Sequence, residues 1–170
     1  WIQIGNYVLR NEDNSITKHG STFKASTRSK FYKSTIDKLI DARLDNRVTQ
    51  TFIDDLYDFD NLPIEDLLQR RTLNRKFEDY KSETDMMIPL VKQGIEVGIQ
   101  PEIRTTYNYY KTKEGYKIEQ LVESKTDLDV SYYWDIVSRL LDKFGLKHMI
   151  KKNPPLTILD RKQKSLMEWV

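Results

Sequence analysis

Apolar side chains recur in this chain at two spacings, and the alternation between them restricts the fold to a mixture of helices and short antiparallel strands. Ile36, Leu39, Ile40 and Leu44 fall three and four apart, which predicts a helix over about 32–44 with Ser34 or Thr35 as its cap. Val48, Phe52, Ile53, Leu56 and Tyr57 form a second such stripe. Pro63 suits the first turn of a third helix through Ile64, Leu67 and Leu68, whose end runs into Arg70 and Arg71. A further helix is expected over about 86–96, ended by Gly94 or Gly98 and closed to extension by Pro101. The last, over about 133–144, ends at Gly145.

The other spacing is two. Residues 2–10 alternate and are rich in strand formers, Asn11-Glu12-Asp13-Asn14 supplies turn chemistry, and Ser15 to Lys18 returns, giving a hairpin that ends at Gly20. Residues 103–110 and 116–122 read as a second hairpin joined by 111–115. Between the first hairpin and the first helix lies a polar, basic loop over 21–30, and Lys151-Lys152-Asn153-Pro154-Pro155 reads as a linker. The expected class is α+β: a mostly helical body with a small β-hairpin subdomain, preceded by another β-hairpin. The expected division is 1–20, 21–150 and 151–170.

Composition excludes several functions. Uninterrupted apolar runs such as Met86-Met87-Ile88 are far shorter than the roughly 20 residues that span a bilayer. No cysteine is present, so disulfides, thiolate metal sites and thiol nucleophiles are out of reach, which fits a reducing intracellular setting. The first residues lack the charged start and apolar core of a signal peptide, and without an initiator Met the chain reads as a fragment. With 28 basic and 26 acidic residues the net charge is only +2, so an argument for nucleic acid has to rest on how charge is distributed.

The densest basic stretch is Gln69-Arg70-Arg71-Thr72-Leu73-Asn74-Arg75-Lys76, followed by Phe77-Glu78-Asp79-Tyr80-Lys81. As a helix it places Arg71 and Arg75 on one face; partly extended, it alternates Arg71, Leu73 and Arg75. In either form the long cations project while Leu73 and Phe77 anchor, and Thr72 and Asn74 add donors beside guanidinium groups that bind phosphate bidentately. A solvated face paired with Glu78 and Asp79 is the competing reading. Lys18, His19, Lys24 and Arg28, among Ser21, Thr22, Ser26 and Thr27, form a second basic cluster suited to backbone phosphates. Asp58 with Asp60, and Asp127 with Asp129, imitate the paired carboxylates of two-metal phosphoryl transfer, but their places beside helix ends fit capping better. His19 and His148 have no ligand partner at metal-binding spacing, and no glycine-rich phosphate loop or nucleophile elbow occurs. The aromatics, Trp134, Tyr107, Tyr109, Tyr110, Tyr132 and Tyr133 among them, are expected to pack in the core, with base stacking as the alternative.

Taken in order, these segments resemble the end of a family B DNA polymerase: the last hairpin of the palm, the thumb and the C-terminal tail. Gly5-Asn6-Tyr7-Val8-Leu9 and Ser15-Ile16-Thr17-Lys18-His19-Gly20 look like the strands that follow the palm's catalytic aspartates, although Gly5 stands where the family usually has a lysine. Arg71, Leu73, Arg75, Tyr80 and Lys81 reproduce the thumb's order of basic residue, aliphatic, basic residue and Tyr-Lys pair. Gly94, Pro101 and the strand beyond resemble the thumb's helix-to-strand passage, and Tyr132-Tyr133 with Phe144-Gly145 its closing helix. The resemblance implies DNA contacts from Tyr7, Lys18, Lys24, Arg28, Arg70, Arg71, Thr72, Asn74, Arg75, Tyr80 and Lys81. It also implies no catalytic or metal-binding residue in this segment, with Mg²⁺ held by a palm that the chain lacks. The implied partners are primer-template DNA and the rest of the polymerase.

The tail adds a separate hint. Gln163, Leu166 and Trp169 have the spacing of the peptide by which such polymerases dock on a ring-shaped sliding clamp, and Val170 stands where a second aromatic is often found. An apolar terminus folded onto its own domain is the competing expectation. A stand-alone DNA-binding module, the small subunit of a split polymerase and an unrelated interaction domain remain as alternatives for the whole chain.

Overall fold

The computed structural model describes residues 7–10, 16–19, 29–80 and 86–160, the first two stretches as backbone only. The chain divides into two compact units, each built from two separate stretches: Trp1–Phe59 with Val130–Leu156, and Asp60–Asp129 with Thr157–Val170. The class is α+β, as the two spacings predict.

In the first unit, strands β1 (Tyr7–Arg10) and β2 (Ile16–His19) pair antiparallel, with Tyr7 opposite His19 and Val8 opposite Lys18. Helix α1 (Lys30–Leu44) starts at Ser29, whose side chain accepts a hydrogen bond from the Tyr32 N–H at 3.1 Å. The cap therefore lies upstream of Ser34 and Thr35, because Phe31 and Tyr32 join the buried stripe and the helix must begin before them. Helix α2 (Gln50–Leu56) is capped by Thr49, which accepts from Phe52 N–H at 3.1 Å. The first unit also holds the C-terminal helix of 14 residues, Val130–Lys143, whose buried face is Val130, Tyr133, Trp134, Val137, Leu140 and Leu141. It packs against α1 and ends at Gly145, where φ is +74°. A cluster of rings fills the space between the helices: Tyr57 lies 4.4 Å from Trp134, and Phe59 contacts Phe31, Tyr133 and Trp134. The Tyr57 hydroxyl bonds Ser138 Oγ at 2.9 Å and accepts from Lys151 N–H at 3.3 Å, and Trp134 Nε1 donates to the Lys151 carbonyl at 2.8 Å. The segment read as a linker is thus tied to the helical core at its first residue.

The second unit departs from expectation at Pro63. Instead of a third helix there is a single 3₁₀ turn, Ile64–Leu67, with Pro63 extended before it and Leu68 extended after it. Residues Gln69–Thr72 then form a strand, β3, because they have a ladder to complete. Helix α3 (Met87–Glu96) and strands β4 (Thr106–Thr112) and β5 (Gly115–Ile118) follow, and the sheet order is β3-β4-β5, antiparallel throughout. The C-terminal helix of the first unit is α4 in chain order. The strands of the predicted hairpin are displaced from their patterns: Arg104 has positive φ and Glu119–Leu121 is a 3₁₀ turn, so β4 starts at Thr106 and runs on through Thr112, and β5 ends at Ile118.

Partners across an antiparallel ladder share a face. Gln69, Arg71, Tyr107, Tyr109 and Ile118 therefore lie on one side of the sheet, and Arg70, Thr72, Asn108, Tyr110 and Lys117 on the other. The first side meets α3 in a core of Leu73, Met87, Leu90, Val91, Tyr107, Tyr109 and Ile118. Gly94 lets helix and sheet touch, since a Cβ there would come within 2.8 Å of Tyr107 Cε1. Gln93 secures the β5 edge, donating to the Tyr116 carbonyl and accepting from Ile118 N–H, both at 2.9 Å. Lys125 is buried, its Nζ donating to the carbonyls of Asp60 and Leu62. After its excursion through the first unit the chain returns, with Leu159 N–H donating to Asp60 Oδ1 at 2.8 Å, Thr157 bonding the Thr126 carbonyl and Ile158 buried.

Candidate nucleic-acid interface

The basic stretch is extended at its start and folded back at its end. Arg70 and Arg71 are exposed on β3, an edge strand, opposite Asn108 and Tyr107. The strand form sends them to opposite faces of the sheet, so the pair does not act as one double charge. Thr72 Oγ1 bonds Thr106 Oγ1 at 3.1 Å. Leu73 is fully buried and continues the ladder one step past β3, donating its N–H to the Thr105 carbonyl at 2.9 Å and accepting from Arg104 N–H at 2.7 Å. That anchor fixes the register of the arginines on either side.

Beyond Leu73 the chain turns. A 3₁₀ turn at Phe77–Asp79, with Phe77 packed on the α3 core, brings Tyr80 back beneath the preceding residues. The Tyr80 hydroxyl accepts from Asn74 N–H at 3.2 Å, and the Arg75 guanidinium lies 4.4 Å from the centre of the Tyr80 ring. Tyr80 thus shapes the loop and seats an arginine by a cation–π contact worth about 0.5–1 kcal/mol at an exposed site. Arg75, Lys76 and the Asn74 side chain are exposed.

The structure brings together Arg70, Arg71, Thr72, Asn74, Arg75 and Tyr80 in the second unit. Tyr7 and Lys18 belong to the hairpin of the first unit, where only the backbone is described. Lys24, Arg28, Lys81 and the tail residues Gln163, Leu166, Trp169 and Val170 lie outside the described residues. Arg104, whose N–H bonds the Leu73 carbonyl, is a further exposed cation that the sequence does not single out. Its alternating neighbours read as strand, and Pro101 two residues before Ile103 was the signal that a turn intervenes.

The remaining polar features have local explanations. Asp127 accepts from Ser124 N–H at 3.2 Å in a reciprocal cap of a 3₁₀ turn, and Asp60 holds Leu159. Among the described residues no three His, Asp or Glu side chains converge. Tyr107, Tyr109, Tyr110, Tyr133 and Trp134 are buried and pack. Burial raises the Tyr107 hydroxyl above its ordinary range, and burial, with the carboxylates of Glu119 and Glu65, pushes Tyr110 up to about 12. An open cavity of about 630 Å³ at the β4–β5 turn carries both signs of charge, Lys113 and Lys117 against Glu114, Glu123 and Asp127. Lys117 and Glu114 pair at 2.6 Å, the hydrogen bond lowering the Glu114 carboxyl and raising the Lys117 ammonium. Among the described residues no helix is long and apolar enough to cross a membrane.

No protein-family profile matches the chain, and no curated protein matches it in sequence. Among solved structures, the family B DNA polymerase from the hyperthermophilic archaeon Pyrobaculum calidifontis matches with a TM-score of 0.60. The match covers 87% of this chain and 20% of the polymerase, at 15% sequence identity. The chain shares its fold with part of a family B DNA polymerase. It spans about a fifth of the length of that polymerase, and at this identity the likeness is one of fold.

Proposed function

We propose that this chain is the C-terminal part of a family B DNA polymerase, comprising the end of the palm, the thumb and the tail, and that it grips primer-template duplex in an intracellular setting. The observation that carries the reading is the basic edge of the second unit. Exposed Arg71 and Arg75 flank Leu73, a fully buried anchor, so the cations are presented in a set register to the phosphates of a duplex. The shared fold supports the polymerase assignment. Nucleotidyl transfer and its Mg²⁺ belong in this reading to palm carboxylates outside the chain, and the thumb contributes position and processivity. Gln163, Leu166, Trp169 and Val170 are proposed to dock a sliding clamp.

Phosphate contacts release counterions, so binding should weaken steeply with salt. Fluorescence anisotropy on a primer-template duplex is expected to show a log–log salt slope that shrinks by about two when Arg71 and Arg75 both become Ala. A wild-type chain that bound the duplex equally well at about 50 and 500 mM salt would sink the reading.

A further inference from the structure

We infer that Arg104 is a third phosphate-binding arm of the same basic edge, an inference that rests on the DNA-gripping reading above. Two independent observations lead to it. The first is position. Arg104 donates its backbone N–H to the carbonyl of Leu73 at 2.7 Å, and Leu73 lies midway in sequence between Arg71 and Arg75. The neighbouring chain segment therefore brings a third arginine to the backbone of the residue that separates the other two. The register that pairs Thr72 with Thr106 sets Thr105 opposite Leu73, and Arg104 is the next residue along, still bonded to the Leu73 backbone.

The second is conformation. Arg104 has φ of +77°, in the left-handed region that glycine enters freely and a side-chain-bearing residue enters at a cost. Apart from glycine, the other described residues with positive φ are Asn46 and Asn153, the type that tolerates this region best. The surrounding turn holds the strained residue in place: Thr105 N–H donates to the Glu102 carbonyl at 3.0 Å, and Glu102 N–H donates to Thr105 Oγ1 at 3.1 Å. Arg104 is exposed, so burial of its side chain does not account for an arginine where glycine would fit the backbone better. A strained backbone carrying an exposed cation beside two further exposed arginines is accounted for by a ligand that the cation binds.

Arg104→Gly separates a binding role from a structural one, because it removes the guanidinium while suiting the backbone. The full chain carrying it is expected to melt within about 2 °C of wild type or higher. It should bind primer-template duplex about three- to tenfold more weakly, with a salt slope smaller by about one. Arg104→Lys should recover most of that slope. Should Arg104→Gly bind with unchanged affinity and slope while Arg71→Ala weakens binding, the Arg104 assignment falls and the DNA-gripping reading stands. If Arg104→Gly and Arg104→Lys weaken binding equally with no change of slope, the residue shapes the turn and the assignment also falls. If the wild-type chain shows no salt-dependent binding, both fall together.

Discussion

The two units are held together by different means. The first centres on a cluster of rings, Phe31, Tyr57, Phe59, Tyr133 and Trp134, with polar ties from Tyr57 to Ser138 and from Trp134 to Lys151. The second is a small sheet on one helix, fastened by polar ties: Gln93 to the β5 edge, Lys125 to the carbonyls of Asp60 and Leu62, Asp60 to Leu159. Apolar contacts tolerate small rotations, whereas hydrogen bonds set a register. The difference bears on the row of cations of the second unit, where the ladder and buried Leu73 place Arg71 and the Tyr80 ring seats Arg75.

That contrast can be broken most forcefully at Trp134. Trp134→Ala empties the ring cluster and is expected to cost about 3–5 kcal/mol in the unfolding transition of the first unit. DNA affinity of the folded chain should stay unchanged, and an affinity that fell in step with stability would show that the grip depends on both units. A smaller effect is expected at Gly94, where the new methyl group of Gly94→Ala would press on Tyr107 at 2.8 Å. Denaturant melts should show a loss of about 1–3 kcal/mol confined to the second unit, together with weaker DNA binding as β4 shifts under Leu73. An unchanged melt would mean that α3 and the sheet are not closely packed.

The smallest effect concerns alkaline pH and falls on β4. Tyr110 titrates near 12 when folded and near 10.0 in its ordinary state, so the folded chain holds the proton more tightly. Its contribution to stability is complete below pH 10 and is lost as pH rises toward 12, amounting to about 1.4 kcal/mol by pH 11. Tyr107, shifted in the same direction, adds to the trend. Tyr110→Phe should flatten that part of the stability–pH curve, measured by melts between about pH 9 and 11. A profile that stayed as steep would place the alkaline sensitivity elsewhere.

Sequence reading succeeded where a periodic pattern coincided with burial. The stripes of α1, α2, α3 and α4 announce themselves, and so does the β4–β5 hairpin, because each is specified by residues close in sequence. It failed where the partner is remote. Leu67 and Leu68 after Pro63 read as helix, yet the chain makes one 3₁₀ turn through Leu67 and extends from Leu68, because β4, over thirty residues later, offers Gln69–Thr72 a ladder. For the same reason the basic stretch fits two conformations in sequence, and its pattern marks the anchor Leu73 but not Arg104. Pro101 signals a turn before Arg104, but no local pattern announces its left-handed backbone or its hydrogen bond to a distant leucine. Buried Lys125 was equally hidden, since its partners lie more than sixty residues upstream.

The interleaving of the two units has a consequence for the order in which the molecule can be made. A nascent chain that has emerged as far as Asp129 possesses α1 and α2 but not α4, so the apolar stripe of Phe31, Ile36, Leu39 and Ile40 still awaits its partner helix. The sheet unit by then has its helix and all three strands and lacks the return stretch Thr157–Val170. Synthesis therefore favours the sheet unit folding ahead of the unit that needs α4. A truncation before Val130 would leave the earlier stretch as an exposed apolar surface, a candidate for chaperone capture or aggregation.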